Sequence, residues 1–125
     1  SFFNMKNKNI MLILLIIIIL VSLIYFSNYN SKNYDDFAKC LTSKDAKIFT
    51  VFWCSHCAEQ KKLFGKSVKY LNDIECDSRG DNAQSELCQK EGITGYPTWK
   101  INGTLLPGVQ PLERLAQYSG CELNS

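Results

Sequence analysis

The sequence lacks any long run of like charge, any low-complexity tract and any internal repeat. Its net charge of +2 comes from Lys6 and Lys8 near the start, because the rest of the chain has 12 basic and 12 acidic residues. A domain that binds nucleic acid usually carries a clear excess of basic residues on one face. The composition therefore excludes an obvious electrostatic footprint, and we expect no nucleic-acid partner.

Charge is also absent from residues 10–26, which read IMLILLIIIILVSLIYF. A run of this length is near the lower limit for an α-helix that crosses a bilayer. We predict a transmembrane anchor over residues 10–26, preceded by a short basic N-terminus, residues 1–9, and followed by a polar linker, residues 27–33. Residues 34–125 then remain for one small domain.

A cleaved secretory signal is the alternative interpretation of this segment. Signal peptides usually have a shorter apolar core and a small-residue cleavage site, whereas the bulky sequence SNYN follows here at residues 27–30. We favour a retained anchor, with Met5 as a candidate start. Because Lys6 and Lys8 flank the run on its N-terminal side, the positive-inside rule keeps that end in the cytoplasm. The domain is then expected on the periplasmic, lumenal or extracellular side.

Six cysteines are a high density for so small a domain. Disulfides form and persist in oxidising compartments, and small domains often depend on them for stability. The cysteine usage and the position of the lysines are independent arguments, and both place the domain outside the reducing cytosol.

The predicted elements of this domain alternate between strand and helix after a short leading helix. The sequence Asn102-Gly103 is a strong signal for a two-residue hairpin turn. The predictions are a helix over 34–43, a strand over 47–53, a helix over 55–71, a strand over 73–76, a helix from Asp81 or Asn82 to Glu91, a hairpin over 98–101 and 104–106, and a last helix from Pro111 that ends at Gly120. Strands separated by helices pair in parallel, and the hairpin adds an antiparallel edge. This order predicts an α/β fold with a four-stranded mixed sheet flanked by helices.

The sequence Cys54-Ser55-His56-Cys57 falls where the first strand gives way to the long helix. The attacking species in thiol–disulfide exchange is the thiolate, and the first turn of a helix offers it free N–H groups and a positive dipole. Cys54 is therefore predicted to attack, and Cys57, one turn deeper, to resolve the mixed disulfide. This chemistry needs no metal or bound cofactor, since the Cys54–Cys57 disulfide is itself the redox group.

His56 is the only histidine in the chain and lies between the two cysteines. An imidazole there would favour the thiolate and make the disulfide more oxidising; an ordinary solvated histidine is the alternative. A lone Cys-x-x-Cys can also be half of a zinc site, but Cys76 and Cys88 form no second close pair. A purely structural disulfide within the motif is a further alternative.

The sequence Gly95-Tyr96-Pro97-Thr98 precedes the hairpin, and alone it is a weak signal. Combined with the Cys-x-x-Cys and the element order, it makes the chain resemble the thioredoxin superfamily from about residue 45 to 119. The similarity is greater to the thioredoxin-like domain fused to bacterial and plant homologues of vitamin K epoxide reductase. The segments that carry it are FAK at 37–39, FWCSHC at 52–57, QKKLFGK at 60–66, EC at 75–76, YPTW at 96–99 and ING at 101–103.

The resemblance implies a thioredoxin-like fold in which Pro97 is cis and faces the cysteine pair. In the superfamily this loop presents its backbone to an extended substrate segment. Tyr96, Pro97 and Thr98 are thereby assigned to substrate binding, together with Trp53 beside the motif.

The resemblance also implies a supporting disulfide between Cys76 and Cys88. Cys40 and Cys121 are then left over, and six cysteines permit fifteen pairings. Our choice is a Cys40–Cys121 bridge that staples both ends of the domain. Two free or intermolecular thiols remain an equal alternative.

The chain departs from these families at three points. Thioredoxins carry a buried Asp six residues before the first cysteine of the motif, where this chain has Ile48. The residue after the first cysteine is more often Pro than the Ser55 found here. The fused family also has a four-helix quinone-reducing domain, whereas this sequence offers one anchor, so quinone chemistry would need another polypeptide.

Three functions follow as hypotheses. The first is a membrane-anchored oxidant or relay that passes disulfides to cysteine-containing client proteins and is reoxidised by a membrane partner resembling vitamin K epoxide reductase. The second is a reductase or isomerase that works in the opposite direction. The third, of another class, is a redox-inert module that binds peptides beside Pro97; the presence of both Cys54 and Cys57 disfavours it.

Overall fold

The computed structural model describes residues 5–30 and 33–123, which fall into two compact units divided after Lys32. The first unit contains helix α1, Met5–Asn30. Its segment Lys6–Asn28 is 23 residues long and apolar enough to cross a membrane. The helix is longer than the predicted anchor at both ends and continues through residues 27–30 of the predicted linker. Predictions on residues 1–4 lie outside the described residues.

The second unit holds a sheet and its flanking helices, and each predicted element occurs in it with adjusted bounds. The elements are α2 Asp35–Ser43, β1 Lys47–Thr50, α3 Ser55–Lys62, a 3₁₀ helix Gly65–Tyr70, β2 Asp73–Glu75, α4 Ser85–Lys90, β3 Thr98–Ile101, β4 Thr104–Pro107 and α5 Leu112–Ser119.

The sheet has four strands in the order β2-β1-β3-β4. β1 pairs in parallel with β2 and antiparallel with β3, and β3 pairs antiparallel with β4. A parallel pair requires a crossover, which α3 and the 3₁₀ helix supply. The prediction of a thioredoxin-like, four-stranded mixed sheet flanked by helices is confirmed.

Apolar side chains cover both faces of the sheet, because successive residues of a strand point to opposite faces. Ile48 of β1 belongs to the larger core, with residues of α2, β3 and α5 such as Phe37, Trp99 and Leu115. Phe49 belongs to a smaller core on the other face, together with residues that include Ile74, Cys76 and Cys88. The end of β1 is thus held from both sides, and the cysteine motif begins four residues after it, at Cys54.

The predicted helix over residues 55–71 is wrong as one continuous element. α3 ends at Lys62, and a 3₁₀ helix begins at Gly65, whose φ of +55° lies in the left-handed region. Phe64, between the two, is buried against Phe37 and Trp99 at ring-centroid distances of 6.0 and 5.9 Å. The break at Gly65 is therefore compatible with burial of Phe64 in the larger core.

Several predicted boundaries also need correction. α4 starts at Ser85, since Asn82 has a φ of +53° and therefore cannot begin an α-helix. Pro111 is the N-cap of α5 and not its first helical residue. β1 ends at Thr50, three residues earlier than predicted. The hairpin is confirmed, with φ values of 50° at Asn102 and 78° at Gly103, as a type I′ turn requires.

Candidate functional site

Cys54 is the N-cap of α3, with extended backbone at φ −90° and ψ 117°. Its Sγ accepts a hydrogen bond from the backbone N–H of Cys57 at 3.2 Å. The first helical N–H groups have no partner within the helix, so they are free to stabilise a negative sulfur. The structure therefore places the half-buried Cys54 at the N-terminus of α3, with its sulfur against a backbone N–H donor.

Cys57 is in a different environment, with only 2% of its surface exposed. Burial raises the pKa of Cys57 to about 12, and the hydrogen bond with Cys54 adds to the increase. At neutral pH Cys57 is a protonated thiol behind Cys54. Among the described residues these are the two free cysteines, and their unequal exposure matches the predicted division into an attacking and a resolving thiol.

The Tyr96–Pro97 peptide bond is cis, and this loop lies against Cys54. The Sγ of Cys54 is 3.7 Å from the carbonyl oxygen of Tyr96. Tyr96 is half-buried, whereas Thr98 is buried and its hydroxyl donates to the carbonyl of Gly95 at 2.7 Å. The side chain of Thr98 thus stabilises the loop itself, and the assignment of this loop to substrate binding stays a prediction.

Two exposed aromatic residues precede the motif. Phe52 and Trp53 are 60% and 62% exposed. The indole N–H of Trp53 donates to Asp77 Oδ2 at 2.7 Å, and the guanidinium of Arg79 lies 5.7 Å from the ring centroid of Phe52. Hydrogen bonds from Arg79 and then from Trp53 hold the pKa of Asp77 well below its usual range. A short polar loop therefore fixes the apolar surface next to Cys54.

His56 is exposed, and none of the hydrogen bonds described for its ring involves Cys54 or Cys57. Its Nδ1 lies 3.3 Å from Glu59 Oε2, one helical turn further along α3. The predicted redox role of His56 stays a prediction, since proximity in sequence is what supports it.

A buried amide pair joins α3 to the loop before α5. The side chain of Gln60 donates to the carbonyl of Gln110 at 3.0 Å and accepts from its N–H at 2.6 Å. In the same loop, the N–H of Gly108 donates to the carbonyl of Pro97 at 2.8 Å. These bonds hold the helix that carries the cysteines in register with the cis-proline loop.

Sequence reasoning missed Gln60, Gln110, Asp77 and Arg79. From sequence alone, a glutamine in a helix and charged residues in a loop are expected to be solvent-exposed and without a specific role. Asp77 and the two glutamines gain their roles from partners far along the chain, 24 residues away for Asp77 and Trp53 and 50 for the glutamines, whereas Arg79 is bound to its near neighbour Asp77.

The remaining cysteines form two disulfides in the structure, Cys76–Cys88 and Cys40–Cys121, with Cα–Cα distances of 5.8 and 6.0 Å. These are the pairings chosen from the sequence. Cys76–Cys88 ties the end of β2 to α4, directly before Asp77. Within residues 5–30 and 33–123, no group of three or more His, Cys, Asp or Glu side chains could hold a metal ion.

The sheet order and the Cys-x-x-Cys at the start of α3 define a thioredoxin-like domain. No family model matches the sequence. Curated relatives do: the chain is 42% identical over 91 residues to the thiol–disulfide oxidoreductase LTO1 of Arabidopsis thaliana, a match that covers 70% of this chain and 24% of that protein.

Two further relatives carry the same kind of name. The protein disulfide isomerase-like 2-3 of Oryza sativa subsp. japonica is 30% identical over 88 residues, 68% of this chain and 19% of that protein. The protein disulfide-isomerase of Humicola insolens is 27% identical over 89 residues, 70% of this chain and 16% of that protein. The chain thus spans a quarter or less of the relatives it matches. Together with the fold, these similarities support a place in the thioredoxin-like superfamily.

Proposed function

We propose that the chain is a protein-disulfide oxidoreductase, anchored in a membrane by residues 10–26, that forms or relays disulfides through Cys54 and Cys57. The observation that carries the proposal is the contrast between the two sulfurs. Cys54 lies at the N-terminus of α3 beside the cis-proline loop, and Cys57 is buried behind it. A structural disulfide would need no such difference in environment.

In the oxidising direction, a client thiolate attacks Sγ of Cys54 in the Cys54–Cys57 disulfide. The client S–S bond to Cys54 forms, the Cys54–Cys57 bond breaks, and Cys57 leaves with the electron pair and then takes a proton. A second client thiolate attacks the client sulfur of the mixed disulfide and releases Cys54 as a thiolate. The client loses two electrons as its disulfide forms, and the centre gains them.

The centre must then be reoxidised. The N-terminal lysines support a cytoplasmic N-terminus and a domain on the periplasmic, lumenal or extracellular side. A membrane protein resembling vitamin K epoxide reductase, which passes electrons to a quinone, fits as the electron acceptor because the domain is tethered at the bilayer. The alternative is a reductase or isomerase that runs the same exchange in reverse.

Transfer of the disulfide to a reduced model client tests this function. The oxidised chain, kept in detergent micelles, is mixed with a reduced, unfolded small protein that normally contains disulfides. We expect two client thiols to be lost for each Cys54–Cys57 disulfide that is reduced. A Cys54→Ser chain, with Cys57 intact, is the control and should transfer none.

The reduction potential of the same pair, measured against glutathione, distinguishes the directions. A value near about −120 mV is that of a strong oxidant, and one near about −270 mV is that of thioredoxin-like reductases. Failure of both transfer to clients and reduction of their disulfides would overturn the proposed activity and favour the peptide-binding module.

A further inference from the structure

Ile48 is fully buried in the larger core. It occupies the position at which thioredoxins carry a buried Asp, so this core has no acidic residue there. Directly across the parallel register from Ile48 lies Asp73, at the start of β2. Asp73 accepts a hydrogen bond at 2.6 Å from the hydroxyl of Thr50, which is itself 2% exposed. The carboxylate of Asp73 is therefore fixed on β2, beside β1. The buried Asp of thioredoxins corresponds instead to Ile48 on β1.

The other oxygen of this carboxylate forms an ion pair with Nζ of Lys61. Lys61 follows Cys57 by four residues on α3, so the two side chains share a face of the helix one turn apart. The side chains of Lys61 and Asp73 are 33% and 32% exposed. The ion pair thus ties Lys61 of α3 to Asp73 of β2, and two thirds of the lysine side chain is buried.

We propose that Lys61, held in place by Asp73 and Thr50, is a positioning residue that stabilises the negative charge on Cys57 during disulfide exchange. This inference rests on the proposed function and adds a residue to it. When a client thiolate attacks Cys54, the bond between Cys54 and Cys57 breaks and the electron pair moves to Cys57. Lys61 is one turn further along α3, and its positive charge acts to stabilise a negative charge on Cys57.

Burial is the largest influence on the pKa of Cys57 and raises it, and the hydrogen bond with Cys54 raises it further. The backbone of Val51 lowers the pKa, and the charge of Cys54 raises it. The charge of Lys61 lowers it by a smaller amount, in the direction that favours a thiolate on Cys57.

Two substitutions with opposite electrostatic signs test the proposal. Lys61→Met removes the cation and leaves Asp73 unpaired, so Cys57 becomes a poorer leaving group. Asp73→Asn keeps an acceptor for Thr50 but leaves Lys61 without its counter-charge, so Cys57 becomes a better one. A shift of about one unit in the pKa of the leaving thiol corresponds to a change of about threefold in exchange rate.

The measurement is the second-order rate of reduction of the Cys54–Cys57 disulfide by dithiothreitol at pH 7, in the chain held in detergent micelles. We expect Lys61→Met to be about threefold slower than the unsubstituted chain and Asp73→Asn to be faster. Lys61→Arg should keep the original rate. Lys62→Met, the exposed neighbour on α3, is the matched control and should also leave it unchanged.

If the ion pair between Lys61 and Asp73 only stabilises the fold, a different pattern is expected. Both substitutions should then change the rate of reduction in the same direction. Unfolding by guanidinium is measured on each variant, and similar losses of stability are expected for Lys61→Met and Asp73→Asn. Rates that fall in both, or a Lys61→Met rate equal to that of the unsubstituted chain, would overturn the inference. The proposed function fails separately, if the unsubstituted disulfide reacts with dithiothreitol no faster than a small-molecule disulfide.

Discussion

A Cys57→Ser chain is expected to accumulate client proteins covalently linked to Cys54. The substitution leaves the thiol at the N-terminus of α3 that forms the mixed disulfide with a client, but removes the buried thiol that attacks Cys54 in the return step and frees the client. Linked species should rise from a trace to a major fraction of the chain. They would be detected as higher bands on a denaturing non-reducing gel, lost on reduction, and identified by mass spectrometry.

The control for this trapping experiment is the Cys54→Ser, Cys57→Ser double variant, which retains both structural disulfides but has no attacking thiol. It should give no linked species. If the double variant forms the same complexes, the linkage runs through another cysteine. If the Cys57→Ser chain forms none in a cell that makes it, Cys54 does not attack clients and the account of the site is wrong.

The largest expected effect on stability comes from the Cys40–Cys121 disulfide, whose cysteines are 81 residues apart. A cross-link restricts the unfolded chain more as the closed loop lengthens, and for this loop the contribution is about 4.5 kcal/mol. Replacement of both cysteines by alanine should lower the free energy of unfolding by about that amount. Guanidinium titration followed by tryptophan fluorescence measures it, since Trp99 is buried in the core next to Phe64.

The Cys76–Cys88 disulfide provides the comparison, because its cysteines are only 12 residues apart. Its replacement by two alanines should cost about 3 kcal/mol on the same basis. A larger loss from the short loop than from the long one would show that this account of disulfide stabilisation does not hold for the domain.

The cysteine motif and its location could be predicted from the sequence because the signals are local. A β-branched and aromatic run, followed at once by helix-forming residues, places Cys54 at a strand-to-helix junction. The Asn102-Gly103 turn is equally local and fixes the hairpin. The alternation of strands and helices predicts parallel pairing, which β1 and β2 show, but it does not predict the antiparallel pairing of β3 with β1.

The features that the sequence did not reveal depend on distant partners. A single Gly65 within helix-forming residues does not show that its backbone is left-handed and that the predicted helix over 55–71 is divided there. Gln60 has the pattern of a solvated helix position but is fully buried against Gln110. For Cys40 and Cys121, six cysteines left fifteen pairings, and only the packing of α2 near the end of α5 brings the two together.

The most direct test of the account is which sulfur of the reduced Cys54–Cys57 pair reacts with iodoacetamide at pH 7, followed by peptide mass spectrometry. A thiol with a pKa of about 12 is ionised in roughly one molecule in 100,000 at this pH, and Cys57 is also buried. We predict that Cys54 is labelled at least about 100-fold faster than Cys57, whose labelling increases only in strongly alkaline buffer. Equal labelling of the two, or faster labelling of Cys57, would contradict the assignment of Cys54 as the attacking thiol.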